Sequence, residues 1–179
     1  MKVVIVMPSL KAGGAQRVII NIIKKMISLK YEVLLILICY KGDLFTSLPE
    51  KTRVMILGKK RVRYGIFKLF KIIKKENPDL VFSSLGHVNL ILLFLKKFLS
   101  KKIKFIVREA NTPSSIIDSN LILYLYKYLY ISANKIVAQS DLIKNELISI
   151  VNIDERKISR INNPIDVKFI RKNIKNFRR

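Results

Sequence analysis

Two glycines follow the first apolar run of this sequence, in "MPSLKAGGAQRVI", residues 7–19. Lacking a Cβ, Gly13 and Gly14 let backbone N–H groups come close to an anion, and a helix starting at Ala15 turns the positive end of its dipole to the same place. The pair has neither the G-x-G-x-x-G spacing of a dinucleotide site nor the G-K-[ST] of a P-loop. Phosphate contact and a plain strand-to-helix corner both stay open. His87, the single histidine, stands in "SSLGHVN" just past another apolar run; ligand contact and an ordinary surface or core position are its two readings. "VREANTPSS" places Arg108, Glu109 and Asn111 after the run "KFIV". A carboxylate emerging at the end of a strand suits the task of a general base toward a hydroxyl nucleophile. A salt bridge from Glu109 to Arg108 or Arg17 is the structural alternative. No metal-ligand motif is seen, and neither a metal nor a bound cofactor is expected.

The elements that must position these residues alternate along the chain. Strand-like runs are read at Val3–Met7, Glu32–Tyr40, Arg53–Leu57 and Leu80–Ser83, and in "KIKFIV", "KIVAQS" and "KISRI". Helical spacing is read over Ala15–Leu29, 59–75, His87–Leu99, Asn120–Ser132 and Asp141–Ile150, the last capped by Ser140. Strands that are unbroken apolar runs are buried on both faces, which marks a parallel sheet covered by helices. The fold class is therefore α/β, a doubly wound and mostly parallel Rossmann-like sheet. Ligands of such sheets bind beyond the carboxyl ends of the strands. The loops after Met7, Ser83, Val107 and Gln139 are thus the ones that matter.

The charge balance points to anionic partners. With 35 Lys plus Arg against 12 Asp plus Glu, the net charge is +23, which favours anionic lipid, nucleic acid and phosphorylated ligands alike. The stretch "KKRVRYGIFKLFKIIKK", residues 59–75, carries much of it. On a helix, Val62, Ile66, Leu69 and Ile73 form an apolar stripe, Lys68, Lys71 and Lys75 a basic one, and Phe67 and Phe70 lie at the boundary. That pattern fits an anionic membrane surface, or a solvated helix covering the sheet. No zinc ligands, helix-turn-helix pattern or RNP-like strand accompanies the charge, so no nucleic acid is expected. "YLYKYLY" distributes Tyr124, Tyr126, Tyr128 and Tyr130 around a helix, as an interfacial belt or as core. The apolar stretches fall short of the ~20 residues of a membrane span. The lone Cys39 and the absence of a signal peptide suggest a cytoplasmic protein, peripheral at the inner face of the membrane.

In order and spacing, "SLKAGGAQRV", "VREANTPSS", "KIVAQSDLIKNEL" and "ISRINNPID" resemble the N-terminal half of the family-four retaining glycosyltransferases, from Met1 to about Asp166. The resemblance implies one half of a GT-B fold, two Rossmann-like domains across a cleft. Residues 1–166 would be the acceptor domain, and the basic tail 167–179 the start of a linker to a C-terminal donor domain. It further implies that Gly13, Gly14 and Arg17 meet the donor diphosphate and that Gln16, His87 and Arg108 lie on the acceptor side. Glu109 and Asn111 would be the catalytic residues, near the transferred sugar, in a loop of the "E-R-N-x-P" variety rather than the histidine-bearing one of many relatives. The helix at 59–75 matches the place where membrane-associated members dock. The implied activity is transfer of a sugar from a nucleotide sugar, by analogy a UDP-sugar, to a saccharide or lipid-linked acceptor in cell-surface polysaccharide or lipopolysaccharide synthesis. The family's E-x7-E donor motif does not occur here, so the expectation is a truncated or split form, inactive alone, completed by a second domain in trans. The reading from another class is a non-catalytic basic Rossmann-like domain that binds a membrane or a protein partner.

Overall fold

Where apolar residues run without interruption the chain is extended, and where their spacing turns helical it coils back over the strands. The computed structural model describes residues 1–164. Its seven strands are β1 (Lys2–Ser9), β2 (Glu32–Tyr40), β3 (Arg53–Ile56), β4 (Leu80–Ser83), β5 (Lys104–Glu109), β6 (Lys135–Ala138) and β7 (Ile158–Arg160). They form one sheet in the order β3-β2-β1-β4-β5-β6-β7, and every pairing is parallel. Six helices connect them: α1 (Gly14–Ser28), α2 (Ile66–Glu76), α3 (Gly86–Lys96), α4 (Pro113–Ile116), α5 (Asn120–Tyr130) and α6 (Asp141–Ser149). The expected doubly wound α/β sheet is thus present with all seven strands. The expected domain boundary at 166 and the tail 167–179 lie outside the described residues.

The order of strands reverses between β1 and β4, so the connections leave on opposite faces. Ile19, Ile20 and Ile23 of α1 pack on Val3, Ile5 and Leu35 on one side. Leu69 and Ile73 of α2, Leu92 of α3, Leu129 of α5 and Leu147 of α6 share a second core with Val4, Val107 and Ile136 on the other. β1 and β2 are buried on both faces, which is why they carry no alternation.

Three boundaries differ from the sequence reading. Residues 59–65 are not part of a long basic helix; a short 3-10 turn at Val62–Gly65 precedes α2. Val62, Leu69 and Ile73 still form the buried stripe. The fifth strand runs on through Arg108 and Glu109, so these two residues end a strand instead of opening the loop behind it. The four-residue α4, with Pro113 at its start, was not anticipated. At the opposite edge of the sheet, Glu76 accepts from Lys2 at 2.6 Å and from Arg53 at 3.1 Å, and Arg53 also reaches Glu32 at 2.6 Å. This ion cluster ties α2 to β1, β2 and β3.

Candidate functional site

The carboxyl ends of β1, β4, β5 and β6 bring the sequence candidates to one edge of the sheet. Gly13 precedes α1 with φ of 176°, an extended conformation open to any residue, and Gln16 folds back so that its Oε1 would lie 2.6 Å from an added Cβ. Above Gly14 an added Cβ would meet nothing within 4 Å. No side chain caps α1. Nothing within the described residues therefore requires glycine at position 14 for packing. What holds this loop in place is a residue that the sequence reading passed over. Gly42 has φ of +78°, and a Cβ there would stand 2.2 Å from the Leu10 backbone carbon. Leu44 donates to Leu10 O at 3.0 Å, and the Ala12 amide donates to Asp43 Oδ2 at 3.2 Å. The turn after β2 is thus pressed against the glycine loop. Its glycine is needed both for the left-handed backbone and for the close approach.

Neighbouring residues of a strand point to opposite faces, and this separates Arg108 from Glu109. Glu109, 1% exposed, turns into the core shared by α3 and α5. Its Oε1 accepts from Asn89 Nδ2 at 2.8 Å and from the Tyr130 hydroxyl. Asn89 Nδ2 also lies 3.1 Å from Arg108 O and 3.0 Å from the Tyr130 hydroxyl, so its two hydrogens are shared among three acceptors, while its Oδ1 accepts from Ser83 Oγ at 2.5 Å. Tyr126 stacks on Tyr130 with centroids 4.7 Å apart, and its hydroxyl lies where a Cβ on Gly86 would be, at 2.1 Å. Burial is the largest influence on Glu109 and raises its pKa from 4.5 to about 7, against the opposing hydrogen bonds from Tyr130 and Asn89. Among the described residues no salt bridge joins Glu109 to Arg108 or to Arg17. A buried hydrogen-bond cluster stands where the ion pair was the structural alternative.

Arg108, 3% exposed, points to the α1 side. Its Nη1 donates to Ser84 Oγ at 2.5 Å; its Nη2 donates to Gln139 Oε1 at 2.6 Å and to Asn163 Oδ1 at 2.5 Å. Gln139 in turn donates to Ala110 O. One guanidinium therefore fastens the chain after β4, β6 and β7 to the end of β5. All its side-chain acceptors are neutral, so its charge is left to the field at the edge of the sheet. The candidates that do reach solvent are Arg17, His87 and Asn111, with Gln16 half-buried. His87 reaches solvent at its surface, yet the protein packed around it partly desolvates the imidazolium and lowers its pKa. On α2, Lys68, Lys71 and Lys75 are exposed, as is Phe67 at 84%, whereas Phe70 packs partly against the core. Tyr126 and Tyr130 are buried and Tyr124 and Tyr128 exposed, so each of the two readings of the tyrosine run describes half of it.

A sheet of this order with a glycine corner at the reversal point is shared by many enzymes, and the sequence pattern decides among them. The profile of Glycosyltransferase Family 4 matches residues 12–169. The chain belongs to this family. Solved glycosyltransferases share the family-4 chain's fold. HepE from Anabaena, in complex with UDP, is 16% identical with a TM-score of 0.72, over 98% of this chain and 50% of that one. A glycosyltransferase from Rickettsia africae is 18% identical with a TM-score of 0.70, over 98% and 49%. The lipopolysaccharide outer core galactosyltransferase WaaB is 15% identical with a TM-score of 0.69, over 93% and 47%. This family-4 chain thus spans about half the length of the structures it matches, one half of a GT-B fold. No curated protein matches the sequence. Neither Asn89, Tyr130, Gln139 nor Gly42 was legible as a site residue. Only the alternation of β5 could have signalled that Arg108 and Glu109 face apart.

Proposed function

We propose that this chain is the acceptor-side half of a glycosyltransferase that moves a hexose from a UDP-sugar to a saccharide or lipid-linked acceptor. In this reading residues 1–166 form the acceptor domain. Gly13 and Gly14, with Arg17, meet the donor diphosphate when a second domain closes over the edge of the sheet. Gln16, His87 and Asn111 meet the acceptor. Glu109 and Arg108 act behind them as positioning residues, the first through Asn89 and Tyr130, the second through Ser84, Gln139 and Asn163. The observation that carries the proposal is the family-4 match together with an uncapped helix start whose Gly14 faces open space. An anion there takes up free N–H groups and the positive end of α1 at no steric cost.

The donor class rests on HepE, whose structures hold UDP and UDP-glucose. The surface-polysaccharide setting rests on WaaB. The exposed lysines of α2 support a location at an anionic membrane. Chemically, the N-terminal half supplies acceptor binding and part of the charge that stabilises the departing diphosphate. Transfer is therefore expected only when a second, donor-binding domain is present in the same chain or in trans.

The test is calorimetric titration of the full chain with UDP and UDP-glucose, before and after Arg17→Ala, alongside a transfer assay. Weak binding that Arg17→Ala lowers several-fold, with no turnover by the 179-residue chain alone, is the expected result. Turnover by the chain alone would overturn the need for a second domain. Binding indifferent to Arg17 would remove that residue from the donor site.

A further inference from the structure

Helix α5 is apolar on both sides, and only one side is covered. Tyr126, Leu129 and Tyr130 face inward, while Leu121, Tyr124 and Tyr128 stand 68%, 63% and 54% exposed, with Ile131 continuing the stripe just past the helix end. The spacing 121-124-128-131 puts all four on one line. A helix hydrophobic all round ordinarily has cover on every side. Here none of the described residues supplies it.

The neighbouring element extends the patch. Phe94 and Phe98, at the end of α3 and just beyond it, are exposed and meet edge to face with centroids 5.4 Å apart. Between them in sequence, Lys97 places its ammonium 3.6 Å from the Tyr128 ring centroid, and Tyr124 stacks on Tyr128 at 6.0 Å. Charge surrounds the aromatics with a single sign. From Gly86 to Arg108 and from Ser119 to Ser140 the sequence has no Asp or Glu, and Lys97, Lys101, Lys102 and Lys127 are all exposed.

We propose that this outer face of α3 and α5, centred on Phe98, Tyr124 and Tyr128, docks on an anionic lipid surface, with the rings in the headgroup layer and the lysines against lipid phosphates. The proposal extends the membrane location in the reading above from α2 to a second and more apolar contact. The two are compatible in space, because α2, α3 and α5 pack their inner sides into the same core and so lie on the same face of the sheet. Tyrosine and phenylalanine beside lysine form the composition of a membrane interface, where an amphipathic ring places its body in hydrocarbon and its polar edge in water. A second copy of the chain is the poorer occupant. It would bring a second acid-free lysine cluster against the first. With no helix among the described residues long and apolar enough to span a bilayer, contact of this kind is peripheral.

The chain has no tryptophan, so Tyr128→Trp and Phe67→Trp give single reporters on α5 and α2. The full chain carrying either one is mixed with phosphatidylglycerol-containing or pure phosphatidylcholine vesicles. The expected result is a blue shift of the probe at position 128 on anionic vesicles only. Co-sedimentation is expected to fall about tenfold in Phe98→Ser/Tyr124→Ser/Tyr128→Ser, whose positions are solvent-exposed and leave circular dichroism unchanged. A shift at position 67 without one at 128 overturns the proposal and leaves α2 as the membrane contact. Equal binding to both vesicle types overturns the electrostatic part. A dimer in sedimentation velocity that Tyr128→Ser dissolves assigns the patch to a second copy instead. UDP binding is measured separately, so none of these failures is a failure of the glycosyltransferase reading.

Discussion

Replacing Glu109 by Gln is expected to flatten the dependence of stability on pH, and its size follows from where the carboxyl sits. In the fold its pKa is raised from 4.5 to about 7. A raised carboxyl value means that the folded state keeps a proton which the unfolded chain releases. Stability is therefore complete below the ordinary carboxyl value and is lost as pH rises through the interval up to the folded one. At about 1.4 kcal/mol per pH unit the whole interval amounts to about 3.5 kcal/mol, of which roughly 2.5 kcal/mol falls between about pH 5 and about pH 8. The side chain is 1% exposed, so solvent screening takes little from this. Gln keeps the shape and an acceptor oxygen for Asn89 and Tyr130 but cannot ionise. Urea unfolding of both proteins at the two pH values isolates the effect, since the other carboxylates cancel in the difference of differences. If the two profiles run parallel within about 0.5 kcal/mol, Glu109 does not titrate inside this cluster and the reasoning fails.

Other substitutions probe the same architecture. Asn89→Ala strands Ser83, Tyr130 and Glu109 without their shared partner and is expected to cost about 2–4 kcal/mol in chemical unfolding. Gly42→Ala, with a Cβ driven into the Leu10 backbone, is expected to cost upwards of about 2 kcal/mol and to weaken UDP binding with it. Gly58→Ala has a similar positive φ but open space around it, and is expected to cost only about 1 kcal/mol. Glu76→Gln breaks the ion cluster of Lys2 and Arg53. Hydrogen bonding from Lys2 is the largest influence holding the Glu76 carboxyl below its ordinary value. Its stabilisation is thus present above the unfolded carboxyl value and lost as pH falls, the opposite sign to Glu109. A variant whose loss of stability grows toward acid pH would contradict this assignment.

The sequence by itself determined the sheet. All seven strands and the type of the five long helices were legible, because unbroken apolar runs and helical spacing record burial directly, and burial on two faces leaves a parallel sheet as the outcome. Motif order determined the family, and the glycine corner and Asn111 do stand at the edge where ligands of such sheets bind. What the sequence leaves open is the direction of each side chain at the ends of strands. Once β5 is known to run on through Glu109, its alternation sends the guanidinium to one face and the carboxyl to the other, but the apolar run that ends at Val107 does not show that the strand continues past it. The partners of these groups lie far along the chain: Asn89 and Tyr130 for Glu109, Ser84, Gln139 and Asn163 for Arg108. Likewise the tyrosines of α5 are identical by type. Only their phase against α3 and the sheet divides them into two that close the core and two that face outward.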